Sequence, residues 1–351
     1  MTPPPLLKHS LASASSVADV MTRKCVDGPL ARQEKIWARE GLELSWATMA
    51  NWVIQTAQSW LKPLYRSLKK PLLSCSAIYA DETVVRVLKE DGKPAASESR
   101  MWAYASNDRS GKPLRYFEYQ PSRSGKHAAA FLKGFTGCLV TDGYAGYNKL
   151  KDFKRCCCYA HIRRYFWEAI PKGREKDYTD PAVQGFLYCN KLFEYERSYR
   201  EKGLSFKQIY NRRLKDQKPV VEAFLTWLDK QKAPSGSRLA RALTYAKNQE
   251  KYMMTYLEDG HCSISNNLSE NSIRPVTVGR RNWLFCDTTD GANASMMVYS
   301  LLETARANGL NPQKYLEYLL EARPSKDMSD EELETMAPWS SKVQECCVNQ
   351  S

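Results

Sequence analysis

Three acidic residues, widely separated in the chain, have the type and setting to bind a divalent cation. Asp81 lies inside AIYADETVV, a run that otherwise indicates a strand covered on both faces. Asp142 follows the apolar run CLVT, and Glu270 lies in LSENSIRP, where a helix is predicted to open. A carboxylate in a buried strand carries a large desolvation cost unless something pairs with it. The rest of the chain must supply that partner.

A shared divalent cation is one such partner. Carboxylates held close together cannot all stay ionised without a cation between them, and Mg²⁺ prefers oxygen ligands. Two such ions, about 3.5 to 4 Å apart, activate the attacking oxygen and stabilise the leaving oxygen in phosphodiester chemistry. Asp81, Asp142 and Glu270 are therefore candidate metal ligands and catalytic residues for such a reaction.

Each acid also has a purely structural explanation. An aspartate at a strand end commonly forms a turn by accepting hydrogen bonds from the nearby backbone, which suits Asp81 and Asp142. Asn267 and Glu270 have the N-x-x-E spacing of a helix cap, and Glu270 and Arg274 have the spacing of an i,i+4 ion pair. The residues alone leave both explanations open.

The charge balance favours a polyanionic partner. The chain of 351 residues has 52 Lys and Arg against 39 Asp and Glu, which gives a formal net charge of +13. Such a surface attracts nucleic acid by releasing counterions, although a basic surface also occurs without this function. Paired arginines near the acids are candidate phosphate contacts, and the alternative is ordinary surface charge. With the neighbouring Arg274, these DNA-binding candidates are Arg163, Arg164, Arg274, Arg280 and Arg281.

The elements that must position these residues follow a clear order. Residues 1–75 indicate helices, with Gly41 and Ser45 at helix-turn-helix spacing, although two packed helices without DNA contact give the same spacing. Strand patterns follow in CSAIYADETVVRVLK, RMWAYASND, LRYFEYQ, GCLVTDGY and FKRCCCYA. Long helical stretches come next, and the fold class predicted is α/β, a mixed sheet flanked by helices. The predicted parts are an N-terminal helical region 1–75, the first part of the core 76–161, a helical insertion 162–260, the completion of the core 261–323 and a charged tail 324–351 that is loosely ordered as far as Trp339.

Cysteine usage and hydropathy exclude several classes of protein. The eleven cysteines are odd in number, include three in a row from Cys156 to Cys158, and form no C-x-x-C pair for a zinc site. Reduced thiols are expected. No apolar run is long enough for a signal peptide or a membrane span, so neither export nor a membrane partner is expected.

Six ordered blocks resemble one known family. They are YADETVV, VTDGYAGY, CCYAHIRRYF, NNLSENSIRPVTVGRRNWLF, YSLLETARANGLNPQKYL and APWS, and the likeness also includes PLARQEKIWAREGLELSWATMANWV. Together they resemble the IS66-type transposases of bacterial insertion sequences. The resemblance implies an RNase H-like core with a DDE triad, for which the matching positions are Asp81, Asp142 and Glu270. The helical insertion then lies between the second and third acids.

The resemblance also implies partners and a cofactor. Transposases of this type act with Mg²⁺ or Mn²⁺ on double-stranded DNA, at the terminal inverted repeats of their element and at the target. The implied reaction cuts the DNA to expose 3′-OH ends and joins these ends to target DNA. A homo-oligomer on DNA, accessory proteins encoded by the element, and a cytoplasmic, nucleoid-associated location in a bacterium are further expectations.

The sequence departs from the family pattern in three places. Family members usually carry a leucine-zipper-like helix and a cysteine zinc-binding segment at the N-terminus, and this sequence starts after both. The common AER before IRP is SEN here, which keeps Glu270 but changes its neighbours. A glycine-rich loop of relatives is replaced by DTTDGANAS, which is predicted to be a polar loop before the helix MMVYSLLETARANG.

Other residues have weaker signals. Trp283 suits stacking on a flipped base at a cleaved end, or a place in the core. Cys158 and His161 form C-x-x-H, too few ligands for structural zinc, and are interpreted as packing or support of the active site. His127, near a predicted helix start, is interpreted as an exposed polar residue.

Three rival functions remain open at this point. The H-x-x-R of His161 and Arg164 also occurs in tyrosine recombinases, with Tyr195 or Tyr199 as the nucleophile and no need for metal. A catalytically idle DNA-binding remnant would compete for transposon ends without cutting them. A cellular RNase H-like nuclease would cut DNA but fail to join the cut ends to a target.

Overall fold

A computed structural model describes residues 6–7, 12–26, 28–109, 111–150 and 152–348. The chain divides into two compact units. The first unit comprises residues 1–75, 81–132 and 269–351, and the second comprises residues 76–80 and 133–268. Strand β1 (Ala77–Lys89) runs through both, because the boundary lies between Ala80 and Asp81.

The first unit combines a sheet with helices. Its strands are the later part of β1, β2 (Glu98–Ser106), β3 (Arg115–Gln120) and β6 (Cys286–Thr288). Strand β2 lies between β1 and β3, and β6 pairs in parallel with the end of β1. The α-helices are α1 (Ala14–Val26), α2 (Leu30–Arg39), α3 (Trp46–Thr56), α4 (Lys62–Ser67), α5 (Lys69–Leu73), α6 (Gly125–Phe131), α12 (Asn267–Trp283), α13 (Thr289–Ala307), α14 (Pro312–Ala322), α15 (Asp330–Glu334) and α16 (Ser341–Cys347). The first two residues of α12 belong to the second unit, and the rest belong to the first.

The second unit has a smaller sheet and a long run of helices. The start of β1 pairs in parallel with β4 (Cys138–Thr141), which pairs in parallel with β5 (Lys154–Cys157). Five helices follow β5 in sequence, namely α7 (Tyr159–Ala169), α8 (Pro181–Glu201), α9 (Phe206–Arg212), α10 (Lys218–Lys230) and α11 (Arg238–Gln249). The mixed α/β class predicted from sequence is confirmed, and so are the strand segments β1 to β5.

The turn predicted between the second and third helices forms as the residue types require. Gly41 has φ +82°, a left-handed conformation that glycine adopts without the strain of a side chain. Ser45 then caps α3, since its side chain accepts a hydrogen bond from the Thr48 amide at 3.1 Å. Gly41 and Ser45 therefore do in the structure what their types indicate, and a DNA contact by α3 stays a prediction.

Helix α13 is the main buried helix of the first unit. Nearly every residue from Ala292 to Ala305 is buried. The helix begins at Thr289, inside the segment DTTDGANAS that the sequence predicted to be a polar loop, and that prediction was wrong about where the helix begins. Thr288 explains the early start, because its side chain accepts a hydrogen bond from the Gly291 amide at 3.1 Å and caps the helix.

The prediction that the C-terminal tail is loosely ordered as far as Trp339 was wrong. This stretch contains α15, and α16 follows it. Ser329 caps α15 by accepting from the Glu332 amide at 3.2 Å, and Leu333 is buried. The Tyr315 hydroxyl donates to the Met336 carbonyl at 2.9 Å. A few apolar anchors and caps therefore order a segment whose composition is mostly charged.

Within the parts of the chain that the structure describes, no helix combines the length and the apolar character that a membrane span requires.

Candidate active site

Asp81 is half-buried in the interior of β1, at the first position that belongs to the first unit. The residues before it, Ile78 and Ala80, are fully buried. Its Oδ1 accepts a hydrogen bond from the adjacent Glu82 amide at 2.8 Å. The acid is therefore neither a surface residue nor the end of a strand, since β1 continues to Lys89. The turn-forming explanation does not apply to Asp81.

Asp142 directly follows β4. Its Oδ1 accepts a hydrogen bond from the Tyr144 amide at 2.9 Å, so the turn-forming explanation is correct for one carboxylate oxygen of this residue. Gly143 leaves no room for a side chain, because an added Cβ would overlap the ring of Tyr245. Buried Arg155 donates to the Thr141 hydroxyl at 3.1 Å and to the Asp142 carbonyl at 2.9 Å. The end of β4 is therefore firmly positioned.

The register of β1 and β4 is set by residues that precede the two aspartates in sequence. Tyr79 is paired with Val140 in the parallel ladder of the second unit. Asp81 comes two residues after Tyr79 on β1 and is the first residue of this strand that belongs to the first unit. Asp142 comes two residues after Val140, directly after β4 ends. The two acids therefore have corresponding places in the chain relative to this pair.

Glu270 is the fourth residue of α12 and is half-buried. Asn267 is the first residue inside the helix, so the residue that precedes the helix is Asn266. The predicted cap of Asn267 with Glu270 is therefore not at the helix end. Asn266 is fully buried and its Nδ2 donates to the Ala80 carbonyl at 2.9 Å. This bond fixes the backbone that leads into α12 against the backbone that leads into Asp81.

Cys158 supports the same segment. The Asn266 amide nitrogen donates to the Cys158 Sγ at 3.1 Å. Cys158 directly precedes α7 and is buried. The interpretation of Cys158 as a packing or support residue therefore agrees with its contacts.

The paired arginines divide into bound and exposed members. In the first unit, Arg280 of α12 donates to the Thr83 hydroxyl at 3.2 Å and to the Val84 carbonyl, so it ties the helix to β1 just after Asp81. Its neighbour Arg281 is exposed, and so is Arg274. Arg280 therefore positions α12 against β1, a role that the amino-acid sequence did not indicate.

The second arginine pair divides in the same way. Arg163 of α7 donates to the Asn190 Oδ1 at 2.9 Å, and its guanidinium lies 4.8 Å from the ring centroid of Phe186. Arg164 is exposed, with Glu168 at 4.0 Å. Arg163 thus joins α7 to α8, while Arg164 faces solvent.

Trp283 and His127 are both partly enclosed by neighbouring side chains. Trp283 is half-buried with the Lys24 Nζ 5.6 Å from its ring centroid, and a side chain at Gly279 would overlap both it and Tyr299. This packing agrees with a place in the core. His127 is half-buried and its Nε2 lies 2.8 Å from the Ser122 Oγ, so the prediction of an exposed residue was wrong. Burial lowers the pKa of the His127 imidazole.

The candidate nucleophile Tyr199 is poorly placed for attack on DNA. Its side chain is buried on α8 and its hydroxyl donates to the Asp216 Oδ2 at 3.1 Å. Burial raises the pKa of this phenol, and the nearby Asp216 raises it further. Tyr195 is half-buried, and its ring stacks on Tyr199 with the centroids 6.3 Å apart. These contacts weigh against the tyrosine recombinase alternative.

Comparison with known proteins identifies the family. Residues 9–294 match the family described as "Transposase IS66 family", and residues 300–339 match the "IS66 C-terminal element". The chain belongs to the IS66 transposase family. The first match includes Asp81, Asp142 and Glu270. The second extends through α14 and α15.

Several relatives of this IS66 family member occur in Sinorhizobium fredii. The uncharacterized proteins y4qI and y4jD are 28% and 29% identical to it, over 97% and 90% of this chain and over 65% and 63% of their own lengths. A third, the uncharacterized protein y4hP, is 27% identical over 82% of this chain and 55% of its own length. The chain thus spans a little over half to about two thirds of the length of these relatives.

Proposed function

We propose that this chain carries the catalytic part of a DNA transposase, which cleaves DNA at the ends of an insertion sequence and joins the cut ends to target DNA. Membership of the IS66 transposase family supports the overall activity. The observation that carries the choice of residues is the parallel register of β1 and β4, together with the Asn266 bond to the Ala80 carbonyl. The register and the bond both lie within the second unit, at residues that precede Asp81, Asp142 and Glu270 in the chain, and they support the choice of these three acids.

The donor set fits a hard divalent cation. Asp81, Asp142 and Glu270 offer carboxylate oxygens, the ligands that Mg²⁺ and Mn²⁺ prefer. We propose that these three residues would hold the ions. When bound, such a pair supplies an activated attacking oxygen and charge stabilisation of the leaving oxygen. No covalent link between protein and DNA is then needed.

The fold order supports an RNase H-like core as part of this proposal. In the first unit β2 lies between β1 and β3. In the second unit the start of β1 pairs in parallel with β4, which pairs in parallel with β5. We assign the helices from α7 to α11 to an insertion between the second and third acids. Within α12, Glu270 and Arg280 lie on the same element, so the contact of Arg280 with β1 also restrains the helix that carries Glu270.

Contacts to the phosphate backbone follow from the exposed arginines. We propose that Arg164, Arg274 and Arg281 bind phosphates directly, since they face solvent. Arg163 and Arg280 also belong to the DNA-binding set, where their internal contacts would position the neighbouring arginines. We further propose that the protein acts as a homo-oligomer on double-stranded DNA, in the bacterial cytoplasm and with accessory proteins of its element.

The decisive experiment uses purified protein, Mg²⁺ and labelled DNA that carries the element ends. We expect Asp81→Asn to reduce end cleavage by about 10³-fold or more, equivalent to about 4 kcal/mol of lost transition-state stabilisation, because the amide binds a cation poorly. Asp287→Asn is the matched control, since Asp287 lies on β6 of the same unit and pairs with exposed Lys89 at 2.7 Å. Equal cleavage by the two variants would refute the proposed metal ligands.

The same assay separates the rival functions. Cleavage that persists in EDTA with protein covalently attached to DNA would establish a tyrosine recombinase. Specific binding of the ends without any cleavage by the unmodified chain would establish an idle remnant. Cleavage without joining to target DNA would establish a nuclease.

A further inference from the structure

A cluster of three buried thiols lies in the second unit, and none of the three is a residue of the proposed carboxylate set. The cysteines are Cys138, Cys156 and Cys262, and their Sγ atoms all lie within 4.8 Å of one another. The closest pair, Cys156 and Cys262, has its sulfur atoms 3.1 Å apart, and all eleven cysteines of the chain are free thiols. The cluster brings together positions separated by up to 124 residues (262 − 138), which explains why their spacing shows no motif.

Two of the sulfurs are placed by the sheet itself. Cys138 opens β4, and its amide donates to the Ser76 carbonyl at 2.8 Å. Gly137 permits this approach, because an added Cβ would overlap the Ser76 carbonyl and the ring of Phe135. Cys156 on β5 is paired with Val140, two residues after Cys138 on β4. The backbone register therefore sets both thiols on neighbouring strands, on the same side.

The third sulfur is held by a buried arginine. Arg213 is 1% exposed, and its Nη1 donates to the carbonyls of Tyr256 and Asp259 at 3.0 Å each and to that of Cys262 at 2.6 Å. Glu196 balances its charge through two contacts of 2.8 Å. The segment from the short 3-10 helix Thr255–Glu258 to Cys262 is thus fixed through its carbonyl groups, and Cys262 is held in one position.

A tyrosine adds a second restraint on the same segment. The Tyr79 hydroxyl donates to the His261 carbonyl at 3.2 Å and accepts from the Ser263 amide at 2.9 Å. Tyr79 is on β1 and is buried. The residues on both sides of Cys262 are therefore bonded to the strand that neighbours β4, so the three thiols are preorganised by groups other than themselves.

The donor chemistry of the cluster favours a cation. Sulfur ligands bind a metal as thiolates, and a positive ion would stabilise such thiolates in a buried site. Two thiols suffice for a disulfide, whereas three convergent sulfurs match the needs of a metal ion. Soft sulfur ligands select zinc and copper(I) over magnesium.

We propose that Cys138, Cys156 and Cys262 form a three-sulfur binding site for a soft, thiophilic cation of the copper(I) or zinc class. Such an ion would join β4, β5 and the segment that leads through Asn266 to α12. Its expected role is structural, because the sulfurs are buried and no acid of the proposed catalytic set takes part. The three-sulfur set suits copper(I) more closely, since structural zinc takes four ligands.

The first test titrates Cd²⁺, a spectroscopic probe for thiolate sites, into the reduced, metal-free full chain. We expect one equivalent to bind with an ultraviolet sulfur-to-metal charge-transfer band, and we expect Cys262→Ser to lose that equivalent. Cys189→Ser is the matched control, because Cys189 is also a buried thiol of the second unit but lies on α8 outside the cluster. Equal binding by the two variants would overturn the proposal.

A second measurement does not depend on whether the variants fold. X-ray absorption of the unmodified chain loaded with one equivalent of copper(I), and separately of zinc, should show a sulfur-dominated shell, with zinc–sulfur distances of about 2.3 Å. Elemental analysis of protein purified without chelators should identify the ion acquired during expression. A shell of oxygen and nitrogen would overturn the site, as would a Cys156 to Cys262 disulfide in the metal-free chain isolated without an oxidant.

Discussion

Glu118 on β3 shows how burial changes the chemistry of a single acid. Burial raises the pKa of its carboxyl to about 7, although Gln120, Lys69 and Tyr104 each act to lower it. The neutral form is therefore populated in the folded protein under conditions in which the unfolded chain is ionised. The same physical effect, the cost of desolvating a carboxylate, underlies the prediction from sequence that an acid in a strand covered on both faces is paired.

The pH dependence of stability should report this group. Because the folded state keeps the Glu118 proton between pH about 4.5 and about 7 and the unfolded state does not, stability should fall as pH rises through this window, by up to about 3 kcal/mol. We expect Glu118→Gln to remove this fall, since the amide stays neutral at every pH. Urea unfolding at several pH values measures the effect.

An exposed acid provides the control for that experiment. Glu98 on β2 pairs with Arg100 at 3.0 Å and its side chain is 51% exposed. Glu98→Gln should leave the pH slope between about 4.5 and about 7 nearly unchanged, because a surface ion pair contributes little. The explanation fails if Glu118→Gln and Glu98→Gln retain the same slope as the unmodified chain.

At the scale of elements, β3 shows how an edge strand is completed by a helix. The Arg115 amide donates to the Thr304 hydroxyl at 3.1 Å, and the Phe117 amide donates to the Ser300 hydroxyl at 2.8 Å. Both hydroxyls belong to α13, one helical turn apart. The helix therefore supplies acceptors that a neighbouring strand would otherwise supply, and it covers the edge against pairing with another chain.

Removing the Thr304 hydroxyl should lower the free energy of unfolding by more than the small size of this group suggests. Thr304→Val keeps the shape but leaves the buried Arg115 amide without this acceptor, so we expect a loss of about 1 to 3 kcal/mol in the free energy of unfolding. Thr226→Val on α10 is the control, since the Thr226 hydroxyl bonds only its own helix, at the Glu222 carbonyl 2.9 Å away, and is exposed. Urea denaturation compares them, and equal losses would contradict the role assigned to Thr304.

Local patterns predicted the elements whose signals are local. The alternation in β1 to β3 and the Ser124 cap before α6 are visible in the residues themselves. By contrast, β6 has three residues and exists because it pairs with the end of β1, nearly 200 positions earlier. The pairing of β1 with β4 and the convergence of Cys138, Cys156 and Cys262 are likewise products of tertiary structure. The sequence identifies Asp81 and Asp142 as candidate acids, but the pairing of Tyr79 with Val140, two residues before each of them, is known only from the structure.

At the scale of the whole molecule, the net charge of +13 should dominate association with DNA. Every phosphate contact by a basic residue releases counterions, so the logarithm of the binding constant should fall linearly with the logarithm of salt concentration. This electrostatic contribution to binding is independent of DNA sequence. It also does not require cleavage by the proposed carboxylates. Binding and chemistry can therefore be separated by variants of different residues.

The slope of that line tests the assignment of exposed arginines. We expect Arg281→Ala to weaken binding to many DNA sequences about equally and to reduce the salt slope by about 1, because one phosphate contact is lost. Lys326→Ala is the control, since Lys326 is an exposed cation in the segment between α14 and α15 and is outside the proposed DNA-binding set. Fluorescence anisotropy at several salt concentrations gives both slopes. If Lys326→Ala lowers the salt slope as much as Arg281→Ala, the attraction is a property of the overall charge, and the proposed arginine set has no special role in binding DNA.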